Sequence, residues 1–274
     1  MIVEECCFTV KESRKACWRL TTICNLDCKH CFANSNPFNT KNPISKEKLF
    51  KVIDELKLLN IKTVILSGGE PLLHPYLIDI IKKLKKNNFI PTLTTNAKIA
   101  NSTITKNLFD AGLKKVTISL DGDNSETYSK VRGASKSSFY QVIKGIKNFI
   151  DIKIPVTINV VLHNENIDRL LNIIKLAEKL KVDSITFSYP VCQNKDLETV
   201  YDLRRQIINL NILNKIEKYI ETTNINIKFR DPNCYSSSCP AGEQIIGVTE
   251  YGNIIPCLGK SWIYNYNYEK LEIS

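Results

Sequence analysis

Short apolar runs rich in β-branched residues alternate along this chain with longer stretches whose apolar residues recur every three or four positions. The runs "CWRLT" (17–21), "TVILS" (63–67), "IPTLTT" (90–95), "KVTISL" (115–120), "VTINVVL" (156–162) and "SITFSY" (184–189) read as strands. Between them the spacing predicts amphipathic helices. Ser45 can cap the first, with Leu49, Val52, Ile53 and Leu56 on one face. Others are expected over 76–87, 103–111, 136–150 and 167–181, and a longer one over 199–222. Strict strand–helix alternation predicts an α/β fold with a parallel sheet and right-handed crossovers. Six such units fit a partial (β/α)6 barrel, and a flat doubly wound sheet has the same periodicity. Both architectures put active residues at the C-terminal ends of strands.

After about residue 228 the texture changes. "RDPNCYSSSCPAGEQIIGVTEYGNIIPCLGK" is turn-rich and cysteine-bearing, with a hairpin-like "GVTEYGNIIPC". The expected organisation is a lead-in over 1–16, a core over 17–190, a connecting helical segment over 191–228 and a small module over 229–274.

Composition narrows the class. At 274 residues and 43% apolar, the chain can fill a real core. It carries 38 basic against 28 acidic residues, a formal +10. The lysines are spread over helices, which reads first as a solvated surface. An acidic peptide is the alternative partner, and nucleic acid is disfavoured because no arginine-rich block exists. No run approaches the roughly 18 apolar residues that span a bilayer, and the start "MIVEECCFTVKES" lacks the form of a signal peptide. A soluble, cytoplasmic protein without membrane partners is expected. Ten cysteines then argue for metal or catalytic thiols over disulfides.

Three of them, Cys24, Cys28 and Cys31, follow the first strand with spacing Cys-x3-Cys-x2-Cys, and no fourth is near. Thiolates suit iron–sulfur clusters or zinc. Three around a cubane leave one iron open to a chelating molecule. His30 lies in the same loop, so ligand count alone also permits a Cys3His zinc site in a structural protein.

The wider pattern resembles the radical S-adenosylmethionine (SAM) enzymes. The loop "CNLDCKHC" resembles their signature, "LSGGEPLLHP" (66–75) their glycine-glycine-glutamate motif, and "TTN" (94–96) and "ISLDG" (118–122) end the third and fourth strands in the right order. The resemblance covers about residues 17–190 and implies a partial (β/α)6 TIM-type barrel. It implies a 4Fe-4S cluster on Cys24, Cys28 and Cys31 with an open iron chelated by SAM. Reductive cleavage of SAM would give a 5′-deoxyadenosyl radical that abstracts hydrogen from a substrate. Gly68, Gly69 and Glu70 match the motif that binds the SAM ammonium, and His30 the aromatic position near the adenine. Ser119 and Asp121 match candidates for the ribose hydroxyls, and Arg132 an arginine that pairs with the SAM carboxylate. Asn96 and Asn159 are expected to line the cavity.

"CPAGEQIIGVTEYGNIIPC" resembles the start of the auxiliary-cluster modules called SPASM or Twitch. This implies a small C-terminal Twitch-like module with a second 4Fe-4S cluster on Cys234, Cys239 and Cys257. Cys192 is the candidate for its fourth ligand, or for a hydrogen-atom donor, or a passive thiol. Cys6, Cys7 and Cys17 are read as structural, Cys17 as a strand residue. Seventeen residues follow Cys257 without a cysteine, so a second auxiliary cluster is not expected. Members with such modules often modify ribosomally made peptides by crosslinking or by L-to-D inversion. A leader-bearing precursor peptide is therefore the expected substrate, with a small cofactor precursor as alternative. The first strand begins near residue 17, so a separate N-terminal peptide-recognition domain is not expected. An external electron donor such as flavodoxin or ferredoxin is also implied.

Overall fold

The computed structural model describes residues 14–28, 30–39, 44–190, 202–203, 205–207, 211–230 and 241–258. Among the described residues, six strands and six helices come first: β1 (Lys15–Arg19), α1 (Lys46–Leu58), β2 (Thr63–Ser67), α2 (Leu77–Lys86), β3 (Ile90–Thr95), α3 (Ser102–Ala111), β4 (Lys115–Ser119), α4 (Ser125–Arg132), α5 (Lys136–Asp151), β5 (Val156–Val161), α6 (Leu170–Lys179) and β6 (Ser184–Ser188). Ser45 caps α1 as its sequence predicts, its side chain accepting from the Lys48 N–H. Then come α7 (Ile212–Ile220), β7 (Asn226–Arg230), β8 (Ile245–Val248) and β9 (Ile254–Ile255).

Three features depart from the sequence pattern. The helix α4 lies in a polar stretch with little apolar periodicity, where Asn124 caps two N–H groups with one side chain. The long helix expected over 199–222 is interrupted at Asn211, whose φ of 51° is left-handed, and α7 begins after it. Where only a helical connection was expected, Asn226–Arg230 forms a seventh parallel strand.

Strand order decides between the two architectures. The ladder runs β7-β6-β5-β4-β3-β2-β1-β8-β9. Every pairing from β7 to β8 is parallel, and only β8–β9 is antiparallel. A doubly wound sheet reverses its order at a switch point. Here β1 to β7 follow one another without reversal, so crossovers of one hand stack the helices on one face. The other face curls inward. β1 and β7 are six ladder steps apart, about 29 Å if the sheet were flat. With helices stacked on one face, the other lines the interior of a curved sheet, and among the described residues no ladder joins β7 to β1 or β9. This is a partial barrel.

The two faces differ in chemistry because side chains alternate along each strand. Ala16, Trp18, Val64, Leu66, Leu93, Val116, Ile118, Ile158, Val160, Ile185 and Phe187 are buried against the helices. The concave face carries rows of polar groups: Thr94, Thr117, Thr157 and Ser184 lie in register, as do Ser119, Asn159, Thr186 and Lys228. Among the described residues no helix is long and apolar enough to cross a membrane.

Candidate functional site

The thiol loop leaves β1 at the C-terminal rim of the sheet. Cys24 is buried, Cys28 and Cys31 half-buried. The Cys31 N–H donates to the Cys28 carbonyl at 3.1 Å, the Ser35 N–H donates to the Cys31 Sγ at 3.4 Å, and the Asn96 amide lies 3.9 Å from the Cys24 Sγ. Burial pushes the Cys24 thiol up and the Cys28 thiol to about 12, with Arg132 pulling against both.

Backbone packing holds this loop, and glycine makes the packing possible. The Gly69 N–H donates to the Thr21 carbonyl at 2.7 Å and the Glu70 N–H to the Ile23 carbonyl at 2.8 Å. A Cβ on Gly69 would sit 2.2 Å from the Ile23 oxygen. From the other side, Gly133 ends α4 at φ 57°, where a Cβ would meet the Asp27 oxygen at 2.2 Å. Three chain segments thus meet with no room for side chains.

Glu70 is fully buried. Its Oε1 accepts from the Thr95 hydroxyl at 2.6 Å and the Leu72 N–H at 2.9 Å, and its Oε2 from the Asn96 N–H at 2.8 Å. Burial raises its pKa despite these bonds. Asn96 is buried too, its amide donating to the Asn25 Oδ1 at 2.7 Å. Glu70 and Asn96 therefore lock the end of β3 to the turn after β2 and to the thiol loop.

Arg132, Asp121 and His30 form one cluster. The Arg132 Nη1 is 3.0 Å from the Asp121 Oδ2, and the Asp121 Oδ1 accepts from the Val161 N–H at 2.7 Å. Asp121 is fully buried. Burial opposes the Arg132 charge, but Asp121, Cys28 and Tyr128 together hold it well above the ordinary arginine range. The His30 Nε2 lies 3.4 Å from the same Nη1. The same Nε2 lies 3.5 Å from the Asp121 Oδ2, so its role as donor or acceptor follows the ring's tautomer. Burial lowers the His30 pKa, in keeping with a neutral ring. Two buried nitrogens of this cluster, the Arg132 Nε donor and the His30 Nδ1, have no hydrogen-bond partner. Such orphans are costly and call for a ligand group.

Ser119 and Asn159 are half-buried neighbours in register on the concave face. The Asn159 Oδ1 accepts from the Ser188 hydroxyl at 3.0 Å. Cys257 is half-buried beyond β9, while Cys192, Cys234 and Cys239 lie outside the described residues. The structure thus gathers Cys24, Cys28, Cys31, His30, Gly68, Gly69, Glu70, Asn96, Asp121 and Arg132 around one loop. Sequence reasoning missed Asn166, which is fully buried and donates to the carbonyls of Asp121 (3.1 Å) and Val161 (2.9 Å), fastening β4 to β5 behind Asp121. Nothing in the local sequence marks it.

The donor set fits the implied cofactor. Three thiols flank a buried cation whose Nε donor is orphaned, which suits an anionic, chelating ligand. Among the described residues no three His, Cys, Asp or Glu side chains converge on one point, as a mononuclear metal needs. A four-iron cluster instead takes each thiolate on a separate iron.

Comparison with known proteins gives the same direction. A "Probable GTP 3',8-cyclase" of Saccharolobus islandicus is 31% identical over 245 residues, 88% of this chain and 75% of that one. "Fe-coproporphyrin III synthase" of Methanosarcina barkeri is 29% identical over 174 residues, 64% of this chain and 43% of that one. Among solved structures, Streptococcus suis SuiB bound to S-adenosylmethionine superposes with a TM-score of 0.74 at 18% identity. That likeness takes in 92% of this chain, which spans 62% of SuiB's length. The family model of the radical SAM superfamily matches residues 18–177, from Trp18 on β1 to Ala177 on α6. The match takes in the thiol loop and every βα loop that meets it, and this chain belongs to the radical SAM superfamily.

Proposed function

We propose that Cys24, Cys28 and Cys31 hold a 4Fe-4S cluster with one iron open to SAM, and that the enzyme abstracts hydrogen from a ribosomally made, leader-bearing peptide. When bound, the cluster and SAM supply one-electron cleavage to a 5′-deoxyadenosyl radical, with flavodoxin or ferredoxin as electron source. The observation that carries the SAM site is the Arg132 cluster beside the thiols, with its buried unpartnered Nε. Arg132 pairs with the SAM carboxylate, a bidentate geometry lysine does not reproduce. Asp121 is occupied by Arg132 and the Val161 N–H, so its role in this reading is to aim Arg132. Ser119 and Asn159 are left to meet the ribose. Glu70, its oxygens engaged by Thr95, Leu72 and Asn96, acts in this reading by fixing the Gly68–Gly69 turn, whose backbone closes on the ammonium end.

The substrate lies across the hydroxyl-lined concave face. Among the described residues the sheet has an unclosed side, which supports a peptide, because a polymer can cross a face reached from the side as well as from the mouth. SuiB bound to its precursor peptide SuiA superposes over 92% of this chain with a TM-score of 0.73 at 19% identity, a likeness of fold. The modification is a thioether or carbon–carbon crosslink, or an L-to-D inversion. A second reading, a small anionic precursor, is favoured by the sequence likeness to the GTP 3′,8-cyclase. In either case Cys257 belongs to an auxiliary 4Fe-4S cluster with Cys234 and Cys239.

Replacing Cys24, Cys28 and Cys31 together with Ala should abolish 5′-deoxyadenosine formation from SAM under reducing conditions. Retained cleavage would sink the assignment. Deuterium passing into 5′-deoxyadenosine from a labelled peptide, and not from labelled GTP, supports the first substrate reading. The converse supports the second.

A further inference from the structure

On β7 the apolar and the basic residues take opposite faces. Ile227 is buried in the helix-side core, and Phe229 packs there against Phe187 with ring centroids 4.9 Å apart. Alternation therefore turns Lys228 and Arg230 to the face opposite the helices, and both are exposed. Arg230 is in parallel register with Ser188 of β6, and Ser188 with Val161 of β5. The Val161 N–H donates to Asp121, the partner of Arg132. One row of the concave face thus runs from the Arg132 pair to Arg230, three strand spacings or about 14 Å along the sheet.

The charge on this face is one-sided. Over β1 to β7 the strand positions that face away from the helices include Lys115, Lys228 and Arg230, but no Asp or Glu. Three carboxylates just beyond the strands already have cations: Asp121 has Arg132, Asp123 has Arg169 and Glu250 has Arg19. Among the described residues no carboxylate pairs with Arg230. β7 is also the last strand on its side of the ladder, so among the described residues Arg230 stands at the unclosed side of the sheet. A charge on an edge strand can serve only to block strand pairing between molecules. Its place in the Arg132 row, on a face without acids, favours a binding role instead.

We propose that Arg230, with Lys228 adding to the positive field, binds an acidic side chain of the peptide substrate. This rests on the reading that the substrate is a peptide. A guanidinium takes a carboxylate through two parallel N–H donors, which fixes the direction of the bound chain as well as its affinity. An extended chain advances about 3.3 Å per residue, so the acidic residue sits about four positions from the one presented beside Arg132.

The test uses the full chain, reconstituted anaerobically with iron, sulfide and SAM, and reads binding by fluorescence anisotropy. The probes are a short fluorescein-labelled peptide of Gly, Ser and Asn that carries an adjacent pair of Glu, and twins with Gln or Lys in their place. The Glu peptide should bind about tenfold or more tighter than the Gln twin, the scale of one charge-assisted bond. Arg230→Gln should erase that difference, and Arg230→Lys should keep part of it. Arg230→Glu should make the Lys twin the better ligand, and Lys228→Gln should narrow the original preference. Because Arg230 is exposed, these variants should melt with the unaltered protein. Glu and Gln peptides bound equally, or a preference that Arg230→Gln leaves intact, would overturn the proposal alone. So would an Arg230→Gln protein that is less soluble but binds as before, the mark of a charge that only guards the edge. Neither peptide bound would overturn this proposal, and labelled GTP bound in their place would overturn the peptide reading too.

Discussion

Asp121 and His74 show how single buried groups here act through their surroundings. Asp121 matches a ribose-binding position in sequence, but its two oxygens are taken by Arg132 and the Val161 N–H. Asp121→Asn removes the charge that aims Arg132. It should weaken SAM binding by about tenfold or more, the usual scale for a charge-assisted bond, as measured by calorimetry on cluster-loaded protein. His74 follows the glycine-glycine-glutamate turn. Burial holds its pKa down to about 4, against 6.5 for a free ring. Between those values the unfolded chain binds a proton that the folded chain refuses, so stability falls as pH drops from about 6.5 toward 4. Denaturant midpoints measured across that window should decline, and His74→Gln should flatten the part of the decline owed to this ring.

Among the elements, α5 sets two opposing effects against each other at Gly145. Alanine is favoured over glycine by about 1 kcal/mol inside a helix. At this site, however, a Cβ would lie 2.3 Å from the Ala97 oxygen. The neighbouring Asn148 amide donates to the Ala100 carbonyl at 2.7 Å, pinning the same loop and leaving it little freedom to withdraw. Overpacking of about 1–3 kcal/mol should exceed the propensity gain. Gly145→Ala should therefore lower the melting temperature, and a rise would show that the loop after β3 yields. That loop carries Asn96, so iron loading is expected to suffer as well.

Across the whole molecule, the C-terminal hairpin is tied to the barrel by more than β8. The Arg19 Nε donates to the Glu250 Oε2 at 2.6 Å, and both side chains are largely buried. Arg14 donates to the carbonyls of Glu243 and Gly242, holding the approach to the same hairpin. Glu250→Ala should cost about 1–3 kcal/mol, the price of leaving a buried charged group short of a partner. Chemical denaturation measures that cost. If Cys257 holds an auxiliary cluster as proposed, Glu250→Ala should release that iron more readily than the first cluster's, because this pair positions the segment that leads to Cys257.

The periodicities specified the six core strands and most of the helices, since burial on one side imposes a period of two on strands and near 3.6 on helices. Cys24, Cys28, Cys31, Gly68 and Gly69 were legible because their chemistry depends on local spacing. Strand order was not, because a partial barrel and a doubly wound sheet share one periodicity and differ only in which strands pair. Nor was the work of Asp121 and Asn166. Asp121 could be matched to a motif, but its partners, Arg132 at the end of α4 and the Val161 N–H on β5, meet only when the sheet is assembled. The glycine at 247 leaves room for the chain that returns after β9, since a Cβ there would lie 2.8 Å from the Leu258 nitrogen. Local sequence thus determined the elements and the cluster loop, which depend on neighbours along the chain. Tertiary structure decided the strand order and the aim of Arg132, because contacts between distant segments are set by packing.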